Sequence, residues 1–165
     1  MNGAQRILLK AGFVLAIVGM SYGFWYAVAD EHPTLERMGV ALASAFAGVA
    51  NGDMQAANES LDTYGSTRFE YVREVHAHGH VVALSTLLVL LGLFFNQLAF
   101  AERTQNVLAW LLVFGSATLP LGALLDIWVA GGLGTVVAAL GAVALIAGLA
   151  GVVLGLMLVQ AGQVD

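Results

Sequence analysis

The sequence contains no cysteine. This absence excludes disulfide bonds, thiolate metal sites and iron–sulfur clusters, and leaves His, Asp, Glu, Met and Tyr as the possible metal ligands. Charge is also scarce, since only 10% of the 165 residues are charged while 59% are hydrophobic. A soluble domain carries about a quarter charged residues. The composition therefore indicates an integral membrane protein, and the length predicts a single membrane domain, residues 1–165.

Basic residues are few, with six Lys and Arg against eleven Asp and Glu. No basic patch of the kind that binds phosphate backbones occurs along the chain. We therefore expect the lipid bilayer as the main partner and no nucleic acid.

Four long apolar stretches are present, and each is long enough for a membrane-spanning helix, which needs about 20 largely apolar residues. They cover residues 7–29, 81–100, 107–130 and 135–159. The connections between the last three are short, so these spans must run antiparallel to one another. The sequence predicts an all-α fold, an integral membrane four-helix bundle.

The positions of the basic residues predict the orientation. Arg6, Lys10 and Arg103 lie in short segments on one side, whereas three arginines on the other side are diluted in a long acidic segment. Short positively charged segments stay in the cytoplasm. We expect a multi-pass protein of the cell membrane with both termini cytoplasmic and the long first connection on the periplasmic or extracellular side.

That long connection, about residues 30–67, has helical periodicity of its own. Its first apolar residues recur at helical spacing, at Leu35, Met38, Leu42, Phe46 and Val49. Gly52 ends this helix, Asp53 can cap a second short helix, and Gly65 ends the second one. Thr67 and Glu70 then form the Thr-x-x-Glu pattern that begins a helix. We predict an amphipathic cap of short helices on the outer membrane surface.

Three of the four histidines lie at the beginning of the second span. A helix from about residue 68 to residue 100 is roughly 50 Å long at 1.5 Å per residue, longer than the hydrocarbon core of about 30 Å. Its first residues must project outward, and they include His76, His78 and His80. Residues four apart share a helix face, so His76 and His80 can grip one metal ion. Glu74 and His78 form a second candidate pair, for binding a cofactor.

Asp126 is the candidate third metal ligand. It lies about 28 Å along the third span, at nearly the depth of His80, and an aspartate in a span is costly unless it is paired or functional. We expect a transition metal ion (copper, zinc or iron) bound by His76, His80 and Asp126. Haem b is the alternative cofactor, and a bis-histidine haem needs His32 or another subunit. A purely structural role, as polar packing at the helix ends, also stays open.

Glycine recurs every seven residues along the fourth span, at Gly134, Gly141, Gly148, Gly155 and Gly162. Small residues at this spacing let helices approach closely in lipid, where no hydrophobic force drives association. The stripe therefore predicts either packing within the bundle or the seam of a homo-oligomer.

The function that this pattern favours is a membrane metalloprotein with a redox or small-molecule role. An accessory or structural subunit of a larger membrane complex and a small transporter remain as alternatives. Enzymatic activity stays undecided, because no Ser/His/Asp arrangement, phosphate loop or pair of catalytic carboxylates is recognisable, although a metal with an open position can activate water or oxygen.

Overall fold

The structure is a computed structural model that describes residues 1–129 and 132–161. Within these ranges the regular secondary structure is all helical, as predicted, and no strand occurs. The helices are α1 (Gly3–Ala29), α2 (Glu31–Ala50), α3 (Met54–Phe94), α4 (Glu102–Trp128) and α5 (Leu133–Ala161), with a 3₁₀ turn at Phe95–Gln97. The stretches Gly3–Ala29, Met54–Gln97, Glu102–Ile127 and Leu133–Val159 are long and apolar enough to cross a membrane. They indicate a multi-pass membrane protein.

The turn between α2 and α3 lies where the sequence predicts it. Gly52 adopts a φ of 74°, a left-handed conformation that favours glycine. Asp53 then accepts a hydrogen bond on Oδ1 from the backbone N–H of Ala56 at 3.0 Å, which satisfies one of the free donors at the beginning of α3.

The helix that begins at Met54 does not end at Gly65, and this differs from the sequence prediction. α3 is one helix of 41 residues. An interior glycine costs a helix only about 1 kcal/mol, which packing on either side can offset. Thr67 consequently lies inside the helix, where its hydroxyl donates to the carbonyl of Thr63 at 2.9 Å instead of capping a new helix.

By contacts, the described chain forms two compact units. The bundle unit comprises Met1–Met20 and His76–Asp165, and the hairpin unit comprises Ser21–Val75. The bundle unit has an apolar core whose most buried large side chains are Leu8, Leu88, Phe95 and Leu112.

Glycines bring α4 and α5 of the bundle unit into backbone contact. A Cβ added to Gly122 would collide with the backbone nitrogen of Ala138 and lie 2.6 Å from the carbonyl oxygen of Gly134. A Cβ on Gly115 would lie 2.7 Å from the carbonyl oxygen of Gly141. The α5 glycines at 134, 141, 148 and 155 all face neighbouring parts of this chain, and position 162 lies outside the described residues.

The hairpin unit is built around small buried residues. At Gly48 a Cβ would lie 2.9 Å from the backbone nitrogen of Ala57, so α2 and α3 nearly touch beside their turn. Ala41 and Ala45, which precede Gly48 on α2 and lie farther from the turn, are buried as well. Small side chains on the inner faces keep the two helices close, which suits an antiparallel helical hairpin.

Candidate metal site

His76 and His80 lie one turn apart on α3, in the bundle unit. Their ring centroids are 6.4 Å apart and the ring planes are inclined by 53°. Both side chains are exposed, so they can rotate toward a common ion. To bind one ion through metal–nitrogen bonds of about 2.0–2.1 Å, both rings would have to turn a nitrogen toward it. The pair predicted from sequence spacing is thus brought together by the helix.

His78 is oriented by a contact that the sequence does not reveal. Its Nδ1 lies 3.1 Å from the carbonyl oxygen of Gly19. A carbonyl oxygen only accepts, so this hydrogen bond places the imidazole hydrogen on Nδ1 and leaves the lone pair of Nε2 available. Histidine ligands of metals commonly have their second nitrogen bonded to a backbone carbonyl in this way. The half-buried ring is therefore held in one orientation, with Nε2 as the nitrogen that can bind a metal.

The contact of His78 depends on the close approach of α1 and α3 at Gly19. A Cβ on Gly19 would lie 2.6 Å from Cγ1 of Val81. Only a residue without a side chain lets Val81 pack here, and this packing brings the Gly19 carbonyl within reach of the imidazole.

Asp126 is engaged at the beginning of α5. Its Oδ1 accepts the backbone N–H of Thr135 at 2.8 Å, and its Oδ2 accepts the Thr135 hydroxyl, also at 2.8 Å. The first N–H groups of a helix have no partner within the helix, and a carboxylate stabilises the positive end of its dipole. The aspartate therefore has a structural role here, a cap supplied by α4. Its proposed role as a metal ligand stays a prediction.

Glu74, predicted to bind a cofactor with His78, belongs to the hairpin unit and precedes the span predicted from Val81. Its half-buried carboxyl has a pKa above the ordinary value, first because of burial and then because Asp30 and Glu70 are negatively charged neighbours. A side-chain hydrogen bond with Asp30 also raises this pKa, and Arg37 partly offsets the shift. The structure gives Glu74 acidic neighbours, and cofactor binding by this residue stays a prediction.

Because the pKa of Glu74 is raised, we expect the Glu74→Gln variant to become more stable than the wild type as pH rises. An acid whose pKa is higher in the folded state contributes stability below its unfolded pKa, and this contribution is lost as pH rises through the folded pKa. Glutamine never becomes charged. The melting temperature of the variant should match the wild type near pH 4, about the unfolded pKa, and exceed it increasingly toward neutral pH.

The matched control is Glu59→Gln, since Glu59 is an exposed glutamate of the same helix. Equal pH profiles for Glu74→Gln and wild type would contradict the assigned environment of Glu74.

A cluster of amide side chains at the amino-terminal end of α1 was not predicted. Asn2 and Gln5 cap each other, because each accepts the other's backbone N–H, at 2.9 and 3.1 Å. Gln5 also donates to Asn96 at 3.1 Å, and Asn2 donates to Gln105 at 2.6 Å. The Asn-x-x-Gln pattern resembles a capping box and could have revealed the first pair. The other contacts join distant segments, which spacing cannot show.

Across residues 1–129 and 132–161, no three His, Asp or Glu side chains converge into a group that could hold a metal ion. The structure thus brings together His76 and His80, and no third His, Asp or Glu of the described residues joins them in this arrangement. No protein-family model, curated protein or solved structure matches the chain. The function is therefore inferred from the residues and their geometry.

Proposed function

We propose that the chain is a membrane metalloprotein that binds a copper, zinc or iron ion through His76 and His80. The observation that supports this proposal is the 6.4 Å separation of two exposed imidazole rings on successive turns of α3. Imidazole is a suitable ligand for all three metals. A helix holds the two Cβ atoms at a fixed distance, so little order has to be gained when the ion binds.

Two histidines fill only part of a coordination shell. Water, a substrate or a further side chain must supply the remaining ligands, and a catalytic or redox metal needs such open positions. Because both rings are exposed, a small molecule can reach the ion. This geometry suits a redox or small-molecule role better than a closed structural metal site.

Haem b is the second candidate, and the orientation of His78 favours it. The Nδ1 hydrogen bond to Gly19 fixes the ring and leaves the Nε2 lone pair, which would hold the haem iron. A single such histidine supports five-coordinate haem. A Soret band in the purified protein that disappears in His78→Ala distinguishes this candidate from an ion held by the other two histidines.

Metal binding is tested by elemental analysis and titration of the purified full chain with Cu²⁺, Zn²⁺ and Fe²⁺. We expect one ion per chain in the wild type. The double variant His76→Ala/His80→Ala should bind at least about a hundredfold more weakly, since two metal–imidazole bonds are lost. His32→Ala is the control, because His32 is an exposed histidine on α2 and should leave binding unchanged. Equal affinity of the double variant and the wild type would eliminate the site.

Asp126→Asn separates the two roles considered for this carboxylate. As a cap, asparagine keeps an acceptor oxygen for the Thr135 N–H and an amide that can donate to the Thr135 hydroxyl, so the melting temperature should change little, while metal stoichiometry and affinity stay the same. As a third ligand it should weaken binding as strongly as either single histidine variant.

We also propose that the termini are cytoplasmic and that the hairpin unit lies on the outer side of the cell membrane. The supporting feature is the density of Arg6, Lys10 and Arg103 in short segments. Because the chain lacks cysteine, a single introduced cysteine reports its own position. Ser66→Cys, exposed on α3, should react with a membrane-impermeant maleimide in intact cells. Thr104→Cys, exposed on α4, should react only after permeabilisation. The reverse labelling pattern would show that the orientation is opposite to the one proposed.

A further inference from the structure

The hairpin unit contains a cleft of about 660 Å³ between α2 and α3. This volume lies within the range of small-molecule sites, about 300–1,000 Å³. Its lining includes Glu36, Arg37, Val40, Ser60, Thr63 and Thr67. The lining lies within the hairpin unit and combines both signs of charge with hydroxyl groups and apolar surface.

The α3 wall of the cleft presents hydrogen-bond acceptors. The hydroxyl of Ser60 donates to the carbonyl of Ala56, that of Thr63 to Glu59, and that of Thr67 to Thr63, each at 2.9 Å. Each hydroxyl has one hydrogen and two lone pairs. Since the hydrogens are used within α3, the oxygen lone pairs remain for a ligand that carries N–H or O–H groups.

The α2 wall carries a positioned guanidinium group. Arg37 donates from Nη2 to the hydroxyl of Thr34 at 2.9 Å, and Thr34 itself is only 1% exposed. A guanidinium has five N–H donors in a planar fork that matches a carboxylate or a phosphate. Glu36, the preceding residue, adds a carboxylate to the same lining. The cleft therefore offers an anion-binding group and a cation-binding group close together.

The charge of the whole unit selects among possible ligands. Residues 21–75 contain eight acidic and three basic residues, so the entire net charge of −5 lies in this unit. A purely anionic ligand is repelled by this field, and a purely cationic one meets the guanidinium of Arg37. A molecule with both charges matches the lining.

We propose that this cleft binds a small zwitterion that carries an ammonium group and a carboxylate or phosphate group. The anionic group pairs with Arg37, and the ammonium pairs with Glu36 and the α3 hydroxyl oxygens. The apolar part of the ligand packs on Pro33, Val40 and Ala41, which complete this side of the lining. Such a ligand is either a free amino acid or the headgroup of a zwitterionic phospholipid.

Calorimetry on the full chain in detergent, with leucine and with O-phosphoethanolamine as probes, tests the free-ligand source. Native mass spectrometry after reconstitution in phosphatidylethanolamine or phosphatidylglycerol nanodiscs tests the lipid source. We expect binding of at least one zwitterionic probe, weakened about tenfold or more by Arg37→Gln and by Glu36→Gln, since each removes one charge-assisted contact. Arg68→Gln and Asp62→Asn are the controls, because both residues are exposed, carry the same charges and lie outside the cleft.

Binding of leucine identifies a free amino acid as the ligand, whereas retention of phosphatidylethanolamine, with or without binding of its headgroup fragment O-phosphoethanolamine, identifies a lipid headgroup. The proposal is overturned if leucine, O-phosphoethanolamine and phosphatidylethanolamine all fail to bind. It is also overturned if phosphatidylglycerol binds equally well, or if the cleft variants and the control variants have equal affinity. The metal titration of the histidine variants is independent of these measurements, so either proposal can fail without the other.

Discussion

Replacing Gly122 with leucine should abolish the native packing of α4 on α5. A single Cβ at this position already collides with the backbone nitrogen of Ala138 and lies 2.6 Å from the carbonyl oxygen of Gly134. Both opposing atoms belong to the backbone of α5, so no side-chain rotation can make room. The helices have to separate, and the contacts on either side of the glycine are lost as well.

The expected cost is about 3 kcal/mol or more, at or above the upper end of the range for overpacked cores. Glycine-to-leucine replacement also improves helix propensity by roughly 0.8 kcal/mol, so the observed loss would occur despite a local gain. Thermal unfolding in detergent, followed by circular dichroism, measures the effect.

Gly39→Leu is the matched control, since nothing lies within 4 Å of a Cβ at this α2 position. It should keep or slightly raise the melting temperature. Gly122→Ala should fall between leucine and wild type. Similar melting temperatures for Gly122→Leu and Gly39→Leu would mean that α4 and α5 do not meet at this glycine.

The helical architecture could be predicted because each part of it depends on local signals. Four apolar stretches of sufficient length predict four helices, and Gly52 with Asp53 predicts the end of α2 and the beginning of α3. The continuity of α3 through Gly65 could not be predicted in the same way. A glycine signals a helix end only when the flanking segments gain nothing from remaining helical, and that gain depends on packing.

The candidate site likewise has a part that local sequence spacing predicts and a part that depends on packing. His76 and His80 are four residues apart on one helix, so their proximity follows from helical geometry alone. The partner of Asp126 depends on how α4 and α5 meet, which sequence spacing does not specify. A carboxylate placed at the right depth for a ligand is equally well placed to cap the next helix. The capping contact with Thr135 therefore became visible only in three dimensions.

Replacing Gln105 with leucine is expected to have the second largest effect. The side chain is only 5% exposed. Its Nε2 donates to the carbonyl oxygens of Leu98 and Phe100, at 3.1 and 3.0 Å, and its Oε1 accepts from Asn2. Leucine has a similar volume but none of these groups, so buried polar atoms in the connection before α4 lose their partners.

Each unsatisfied buried group costs about 1–3 kcal/mol, although the Leu98 carbonyl keeps a second hydrogen bond from the N–H of Phe100. We expect a total loss of about 3 kcal/mol. Gln105→Glu should be nearly as damaging, because a carboxylate can accept from Asn2 but cannot donate to the two carbonyls. Gln97→Leu is the control, since Gln97 lies in the same connection with an exposed side chain.

Hydrogen exchange distinguishes this mechanism from a general loss of stability. The segment before α4 is not helical, so its carbonyls depend on Gln105 rather than on a helix ladder. In Gln105→Leu, the amides of residues 96–101 and the first turn of α1 should exchange faster than those of α5. Uniformly faster exchange in α1, α4 and α5 would contradict the role assigned to this amide, and so would a melting temperature equal to that of Gln97→Leu. Loss of hydrogen bonds confined to the connection should raise exchange there before it raises exchange in the rest of the bundle.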